Sequence, residues 1–315
     1  MSAPLSLVAD IGGTNTRVAL AEGPELLPGS VCRYRNADHA GLAPLLAAYL
    51  AAQGAPALSG GCFALAGPVR DGVGRLTNLD WTLDEAELRR ALALPHVTLL
   101  NDLQAQGHAL DHLAPDACVP VIDAPVQPGA PRLVVGVGTG FNAAPVYATG
   151  AGLHVPACEA GHVNLPVDDA EGQEMARFVA GADGFAAVED VLSGRGLEAV
   201  HAWVTRGDAA PRRSAAEIIA EAADSPEARA ALTLFAHMLG RVTGNLGLTF
   251  LPFGGLYLTG GVARAVTPHL EPCGFTRAFR AKGRFSRLLH DIAVFTVEDD
   301  FAALTGCAGY LSAQG

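Results

Sequence analysis

Short apolar runs separated by turn-forming residues set the pattern of this chain. Residues 5–9 read as a strand, 10–15 as a polar, Gly-rich turn, and 16–21 as a strand again, which predicts a hairpin whose turn carries polar chemistry. Residues 41–53 space Leu, Ala and Tyr as a helix does. Residues 61–66 form another short apolar strand, ended by Gly67-Pro68. Residues 83–92 read as a helix, with Asp84, Glu85 and Glu87 in its first turn, where the helix dipole favours carboxylates. A strand over 97–100 leads into a helical stretch, 103–113. Strands alternating with helices predict an α/β architecture.

A Pro-rich stretch, 115–131, predicts the passage towards a second domain. Residues 133–137 form the next expected strand, closed by Gly138-Thr139-Gly140, with 143–148 as its hairpin partner. From 170 to 251 the pattern is mostly helical, with breaks expected at 181–184, 194–196 and 207–211. A strand over 256–259 ends in Gly260-Gly261, which opens a helix. A late strand over 292–297 and a terminal helix over 301–311 complete the order. The two halves echo each other: Asp10 to Thr14 and Gly138 to Gly140 are both glycine-threonine turns after apolar strands.

The chain's 315 residues exceed the usual size of one domain and predict two domains around two cores. Half of the residues are hydrophobic and 17% are charged, which excludes a disordered chain. A net charge of -11 disfavours nucleic acid as a partner, because phosphate backbones are bound through clustered Lys and Arg. It leaves room for a nucleotide, which backbone N–H groups and Mg²⁺ can hold. The six cysteines are dispersed without a C-x-x-C pair, so reduced thiols in a cytoplasmic protein are expected rather than a structural zinc site. Neither a basic-then-apolar leader nor an apolar stretch of spanning length is present, so no membrane partner is expected.

Three turns carry the features of phosphate sites. In Asp10-Ile11-Gly12-Gly13-Thr14, glycines permit close approach or positive φ, and successive N–H groups can form an anion-binding concavity. Asp10 is placed to attract Mg²⁺ through water, and Thr14 offers a hydroxyl. Gly138-Thr139-Gly140 repeats that logic, and Gly260-Gly261 opens a helix after a strand. Each alone also fits an ordinary tight turn or close packing; none is a P-loop or a G-x-G-x-x-G motif.

Asn101-Asp102 follows a strand and precedes a helix. Asp102 there fits either a helix N-cap or a base that takes a proton from an attacking hydroxyl. Glu159-Ala160-Gly161-His162 pairs an acceptor-only carboxylate with an imidazole, which suits adjacent sugar hydroxyls as well as a solvated loop. Glu189 precedes Leu192-Ser193-Gly194 and, read alone, is an ordinary helical surface residue.

In combination these residues resemble the bacterial glucokinases, in the proteobacterial branch of the hexokinase-like, actin-fold superfamily. The likeness runs from Val8 nearly to the end. It rests on Asp10 to Asn15, Thr77-Asn78 with Trp81, Asn101-Asp102, Gly138 to Gly140, Glu159 to His162, Glu189 with Leu192-Ser193-Gly194, and Thr259-Gly260-Gly261. Gly283-Arg284-Phe285 and His290-Asp291-Ile292 fit the same branch. The cysteine-rich zinc motif of the related repressor and kinase group is missing. Three departures stand out. The family's Gly-Leu-Gly is Gly140-Phe141-Asn142 here, a glycine is replaced by Ala160, and 301–306 differs from a common Pro-Gly-Leu-Leu-Gly.

The resemblance implies a two-domain, actin-like (ribonuclease H-like) α/β fold with an interdomain active-site cleft. Residues 1–112 plus 298–315 would form a small α/β domain and 113–297 a large one. It implies phosphorylation of glucose at the 6-hydroxyl with ATP and Mg²⁺, by a cytoplasmic protein that is commonly a homodimer. Asp102 would be the base. Asn101, Glu159, His162 and Glu189 would bind the sugar, with Asn78 at its rim. Asp10, Ile11, Gly12, Gly13, Thr14, Gly138, Thr139 and Gly140 would hold phosphates and Mg²⁺, and Gly260 and Gly261 would lie near the adenosine. A kinase for fructose or mannose, a non-catalytic sugar sensor on the same fold and, more distantly, a polymerising actin-like ATPase remain alternatives.

Overall fold

The structure, a computed structural model, describes residues 5–76, 79–150, 152–181, 184–206 and 212–314. The chain divides into two units, one of Met1–Pro115, Gly150–Ala157 and Asp299–Gly315, the other of Asp116–Thr149 and Cys158–Glu298. The segment Gly150–Ala157, expected in the second domain, groups with the first, where the Gln104 side chain donates to the Val155 carbonyl at 2.8 Å.

In the first unit, β1 (Leu5–Ile11) and β2 (Asn15–Glu22) form the expected hairpin, with Asp10 opposite Arg17 and Ile11 opposite Thr16. The edge strands β3 (Glu25–Leu26) and β4 (Cys32–Arg35) both pair with β2. After α1 (Leu42–Ala52), β5 (Gly61–Leu65) lies parallel to β1. A small antiparallel sheet follows, made of β6 (Val69–Arg70), β7 (Val73–Arg75) and β8 (Thr82–Asp84). Then come α2 (Glu85–Ala91), β9 (Val97–Asn101), parallel to β5, and α3 (Asp102–Ala109). Asp84 is the cap of α2 rather than part of its first turn; its side chain accepts from the Glu87 N–H at 2.9 Å.

The second unit opens with β10 (Cys118–Ile122), inside the stretch whose prolines predict a passage between domains. Pro120 is tolerated because β10 is an edge strand with an irregularity between Pro120 and Ile122. Next come β11 (Arg132–Val137), β12 (Phe141–Thr149) and β13 (Gly152–His154), the last grouping with the first unit. The helices α4 (Ala170–Val179), α5 (Gly194–Val204), α6 (Ala215–Glu221) and α7 (Pro226–Phe250) follow. Gly194 and Gly196, expected to break the helical run, form the first turn of α5 instead, because Ser193 caps it through the Gly196 N–H at 3.0 Å. The break expected at 181–184 falls between α4 and α5, with 182–183 outside the described residues, and the break expected at 207–211 lies wholly outside them. The chain continues through β14 (Leu256–Thr259), α8 (Gly261–Leu270), α9 (Phe275–Arg280), β15 (Val294–Val297) and α10 (Ala302–Gln314), which belongs to the first unit.

The same plan underlies both sheets. β2-β1-β5-β9 is an antiparallel hairpin extended by two parallel strands, and β12-β11-β14-β15 repeats it. Parallel strands covered on both faces are continuous apolar runs, and β1 is one. Its Leu7, Ala9 and Ile11 pack with Leu42, Leu45, Leu46 and Tyr49 of α1, whose spacing gives one apolar helix face. Val8 packs on the opposite face with Ala105 of α3 and Leu304, Cys307 and Ala308 of α10.

This last contact makes α10 part of the first unit's core, although it is the final element of the chain. Leu304 is completely buried. Leu304→Ala is expected to cost about 2–5 kcal/mol, read as a lower denaturant midpoint, through lost burial and an unfilled cavity.

Candidate active site

The first glycine turn joins β1 to β2 and is held tightly. The Gly12 N–H donates to the Asn15 carbonyl at 3.0 Å. Asn36, buried at 1% exposure, fastens it from behind: its amide donates to the Gly12 carbonyl at 2.7 Å, and its side-chain oxygen accepts from Thr16 Oγ1 at 2.8 Å. Its own N–H donates to the Thr14 carbonyl at 2.9 Å. Thr14 is exposed at the tip. Ile11 buries its side chain in the core, so it reaches the turn only through its backbone.

Asp10 lies at the end of β1, its carboxylate paired with Arg17 at 3.2 Å. Burial raises its pKa against the opposing pull of the Arg17 guanidinium. No group of three or more His, Cys, Asp or Glu that could cage a metal occurs among the described residues. A single carboxylate beside a phosphate-type turn fits Mg²⁺, which takes one or two carboxylates and completes its octahedron with phosphate oxygens and water.

Asp102 occupies the first position of α3, directly off the parallel strand β9. The capping role open to it in the sequence falls to Asn101. The Asn101 side-chain oxygen accepts from the Leu103 N–H at 2.9 Å, and its N–H donates to the Gln104 side chain at 3.1 Å, a reciprocal capping box. The Asn101 amide also donates to the Gly67 carbonyl at 3.1 Å. Asn101, expected as a sugar ligand, is thus engaged largely in fixing the strand-to-helix corner. Asp102 Oδ1 lies 2.9 Å from the Leu103 N–H, and the carboxylate is partly exposed.

In the second unit the β11–β12 turn is Gly138-Thr139-Gly140, closed by the Gly138 N–H donating to the Gly140 carbonyl at 2.9 Å. Two helix N-termini adjoin it. The Gly194 N–H at the start of α5 donates to the Gly138 carbonyl at 2.9 Å. At the start of α8, Gly260 has φ +101°, and a Cβ there would meet the Val137 carbonyl, so only glycine lets α8 begin this close to the turn. The exposed Thr139 hydroxyl thus lies where two helix dipoles end in N–H groups, an arrangement that attracts anions. Neither Gly138 nor Gly140 is among the described positive-φ residues; a Cβ at Gly140 would meet the Glu189 carboxylate, so close approach explains the glycine there, whereas a Cβ at Gly138 would meet nothing within 4 Å.

Glu189 lies against this turn. Its Oε2 accepts from the Phe141 N–H at 3.1 Å and its Oε1 from Arg195 at 3.1 Å. The Glu189 carbonyl accepts from the Ser193 hydroxyl at 2.8 Å, tying it to the cap of α5. The glutamate that reads as an ordinary surface residue is therefore a partly buried brace.

Glu159 and His162 flank a short 3-10 turn, with Glu159 Oε2 and His162 Nε2 3.9 Å apart and both side chains half exposed. Burial raises the Glu159 pKa; His162 opposes the shift and the nearby Glu189 adds to it. Gly161 is obligatory, because a side chain there would collide with the Phe141 carbonyl. The loop is pinned by Asn142, the residue that departs from the family pattern. Its amide donates to the Cys158 carbonyl at 2.6 Å, and its oxygen accepts from the Ala160 N–H at 2.9 Å.

The structure thus brings Gly138, Thr139, Gly140, Glu159, His162, Glu189 and Gly260 together within the second unit. Asp10, Gly12, Thr14, Asn101 and Asp102 lie at strand ends of the first. Thr77 and Asn78 lie outside the described residues. Sequence reasoning missed Asn36, Gln104, Asn142 as a fastener and Arg195 as the partner of Glu189. The buried-asparagine positions carry no periodic signal; only the departure at Asn142 marked it.

A family model of glucokinases matches residues 7–314. The glucokinase of Pseudomonas paraeruginosa is 36% identical over 312 residues, covering 97% of this chain and 91% of that protein. Among solved structures, a glucokinase from an Antarctic psychrotroph superposes with a TM-score of 0.85 at 28% identity, covering 98% of both chains. A Balamuthia mandrillaris glucokinase in complex with glucose superposes with a TM-score of 0.81 at 26% identity, over 99% of this chain and 94% of that one. The family match over residues 7–314, the 36% identity over nearly the whole chain and the TM-score of 0.85 to a solved glucokinase agree, and the chain belongs to the glucokinase family.

Proposed function

We propose that this protein transfers the γ-phosphoryl group of ATP to the 6-hydroxyl of glucose, with Asp102 taking the hydroxyl proton. One observation carries the assignment of the base: Asn101 does the capping, so the helix start does not require a carboxylate at position 102. A phosphoryl acceptor needs alignment and a nearby base, and little covalent help.

The sugar's other hydroxyls are both donors and acceptors. Glu159 accepts from them, and His162 donates or accepts according to its tautomer. Glu189 keeps its backbone and Arg195 bonds and takes a sugar hydroxyl with a remaining lone pair of Oε1, since each carboxylate oxygen accepts more than one bond. The β11–β12 turn at Thr139 and the start of α8 hold phosphate oxygens, with the positive end of α5 beside them adding its dipole and with Gly260 and Gly261 towards the adenosine. The β1–β2 turn and Thr14 hold the phosphoryl end. Asp10 holds Mg²⁺ through water; the ion, when bound, neutralises charge on the phosphates. The proposal places the protein in a reducing, cytoplasmic compartment, in keeping with its free cysteines.

Three measurements test this reading. Asp102→Asn is expected to lower kcat by about 10²-fold or more while leaving the glucose dissociation constant nearly unchanged. Near-normal turnover, in a coupled assay of hexose 6-phosphate run with glucose, fructose, mannose and galactose, would remove Asp102 as the base. Asn142→Ala leaves the Ala160 N–H and Cys158 carbonyl without their partners, and should raise the KM for glucose about tenfold while the KM for ATP changes little. Finally, Glu159 must be ionised to accept sugar hydroxyls, and its pKa is raised above the ordinary 4.5. Acidification should therefore weaken glucose binding at a pH above that at which an ordinary glutamate protonates. Glu159→Gln should bind glucose more weakly at neutral pH and lose that step from the profile of KM against pH.

A further inference from the structure

Away from the phosphate turns, the second unit has a cavity of about 560 Å³ between α7 and α9, closed on one side by the loop before α4. Three permanent cations converge on it: Arg241 from α7, Arg277 from α9 and Lys282 just beyond α9. One carboxylate, Asp168, lines the same space and pairs with Arg241 at 2.7 Å. In a chain of net charge -11 this is a local excess of positive charge.

The cations are held in place but not used up. Lys282 Nζ donates to the Arg241 carbonyl at 2.9 Å and to Asn245 Oδ1 at 2.8 Å, which leaves one of its three N–H groups. Arg241 spends Nη1 on Asp168 and on the Pro166 carbonyl. Arg277 lies 3.2 Å from His237 Nε2 through one guanidinium nitrogen. Because arginine can only donate, that ring nitrogen accepts, and His237 is the neutral tautomer protonated on Nδ1. Burial and the two arginines hold the His237 pKa down, and burial and Arg241 do the same to Lys282. The cluster repels itself, and an arriving anion would relieve that repulsion.

We propose that this cavity is a second ligand site, distinct from the phosphate turns, that binds a small phosphate monoester. Forked guanidinium donors can pair with two oxygens of a phosphate at once, and Lys282 supplies a further charge. The volume exceeds what a phosphate group alone fills and lies in the range of small-molecule sites. Val167, Ala278 and Ala281 add an apolar wall for the carbon skeleton of an ester.

Isothermal titration of the full chain with glycerol 3-phosphate and, separately, inorganic phosphate tests the proposal, at constant ionic strength and with glucose and Mg²⁺-AMPPNP saturating the phosphate turns. A saturable site for the ester is expected, weaker for free phosphate. Arg277→Glu should weaken it at least about tenfold, and Asp168→Asn should tighten it about threefold. Turnover of glucose in phosphate-free buffer should remain unchanged in both variants. Should Arg277→Glu fail to fold, Arg277→Gln and the exposed Asp168→Asn give the same comparison. Absence of saturable binding with the phosphate turns filled, or an affinity indifferent to these substitutions, would overturn the site. Binding of inorganic phosphate without the ester would overturn the ligand class.

Discussion

The carboxylate of Glu189 is the constraint on which the second unit's site depends. It is wedged against Gly140, accepts the first N–H of β12 and meets Arg195 at the start of α5. Desolvating a carboxylate is costly, and a charge-assisted backbone bond together with a guanidinium partner offsets that cost. The same residue's carbonyl accepts from Ser193, so the brace, the cap of α5 and the phosphate-type turn form one connected set. Displacing Glu189 would move the turn and the start of α5 together. What the structure shows of Glu189 is architecture, to which the proposed contact with a sugar hydroxyl would be an addition.

The two units solve one problem with different chemistry. Each extends an antiparallel hairpin with parallel strands, and each leaves a glycine turn at the hairpin's end. An open turn of this kind has backbone groups that must be satisfied without blocking the N–H groups meant for a ligand. In the first unit a neutral, fully buried asparagine does this from behind the turn. In the second, a charged glutamate does it from beside the turn. A neutral fastener suits the first turn, where Asp10 already carries a negative charge raised in pKa by burial. A carboxylate is tolerable in the second because Arg195 and the positive ends of α5 and α8 lie next to it.

This contrast explains what the sequence made legible. Strand positions and the order of elements follow from period-two and period-3.6 apolar spacing, which is local information. The glycine turns announce themselves for the same reason. The family pattern chose among readings that the residues left open at Asp102, Glu159 and His162, and it alone raised Glu189 from a surface residue to an expected sugar ligand. The fasteners were not legible, because they act across the chain: Asn36 reaches 24 residues back, Asn142 reaches 18 residues forward and Gln104 reaches 51. A polar residue followed by a turn looks the same whether its side chain faces water or a distant carbonyl. The strand β10 was hidden for a related reason. Proline reads as a linker unless the strand is known to lie at a sheet edge, and edge position is a property of the tertiary fold.

Asn142 shows how a departure from the family pattern can be structural without being neutral. A glycine at the second position of β12 would leave the Cys158–Ala160 backbone to find water or other partners. The asparagine supplies a donor and an acceptor from one side chain and takes both. Its oxygen also lies 2.8 Å from the Ala143 N–H, so the side chain is locked at its own strand as well as at the loop. The price is a side chain's volume where glycine is usual, and it is met because the amide points along the loop rather than towards the turn's N–H groups. Glu159 and His162, both half exposed and 3.9 Å apart, sit on a loop anchored beyond His162 by the Val188 N–H donating to the Val163 carbonyl at 3.0 Å, and Asn142 fixes its other end. Fixing the backbone beneath them lowers the entropy lost when a sugar orders their side chains. On the proposed reading of Glu159 and His162 as sugar ligands, Asn142 would act on binding through preorganisation, from a residue that need not touch the ligand.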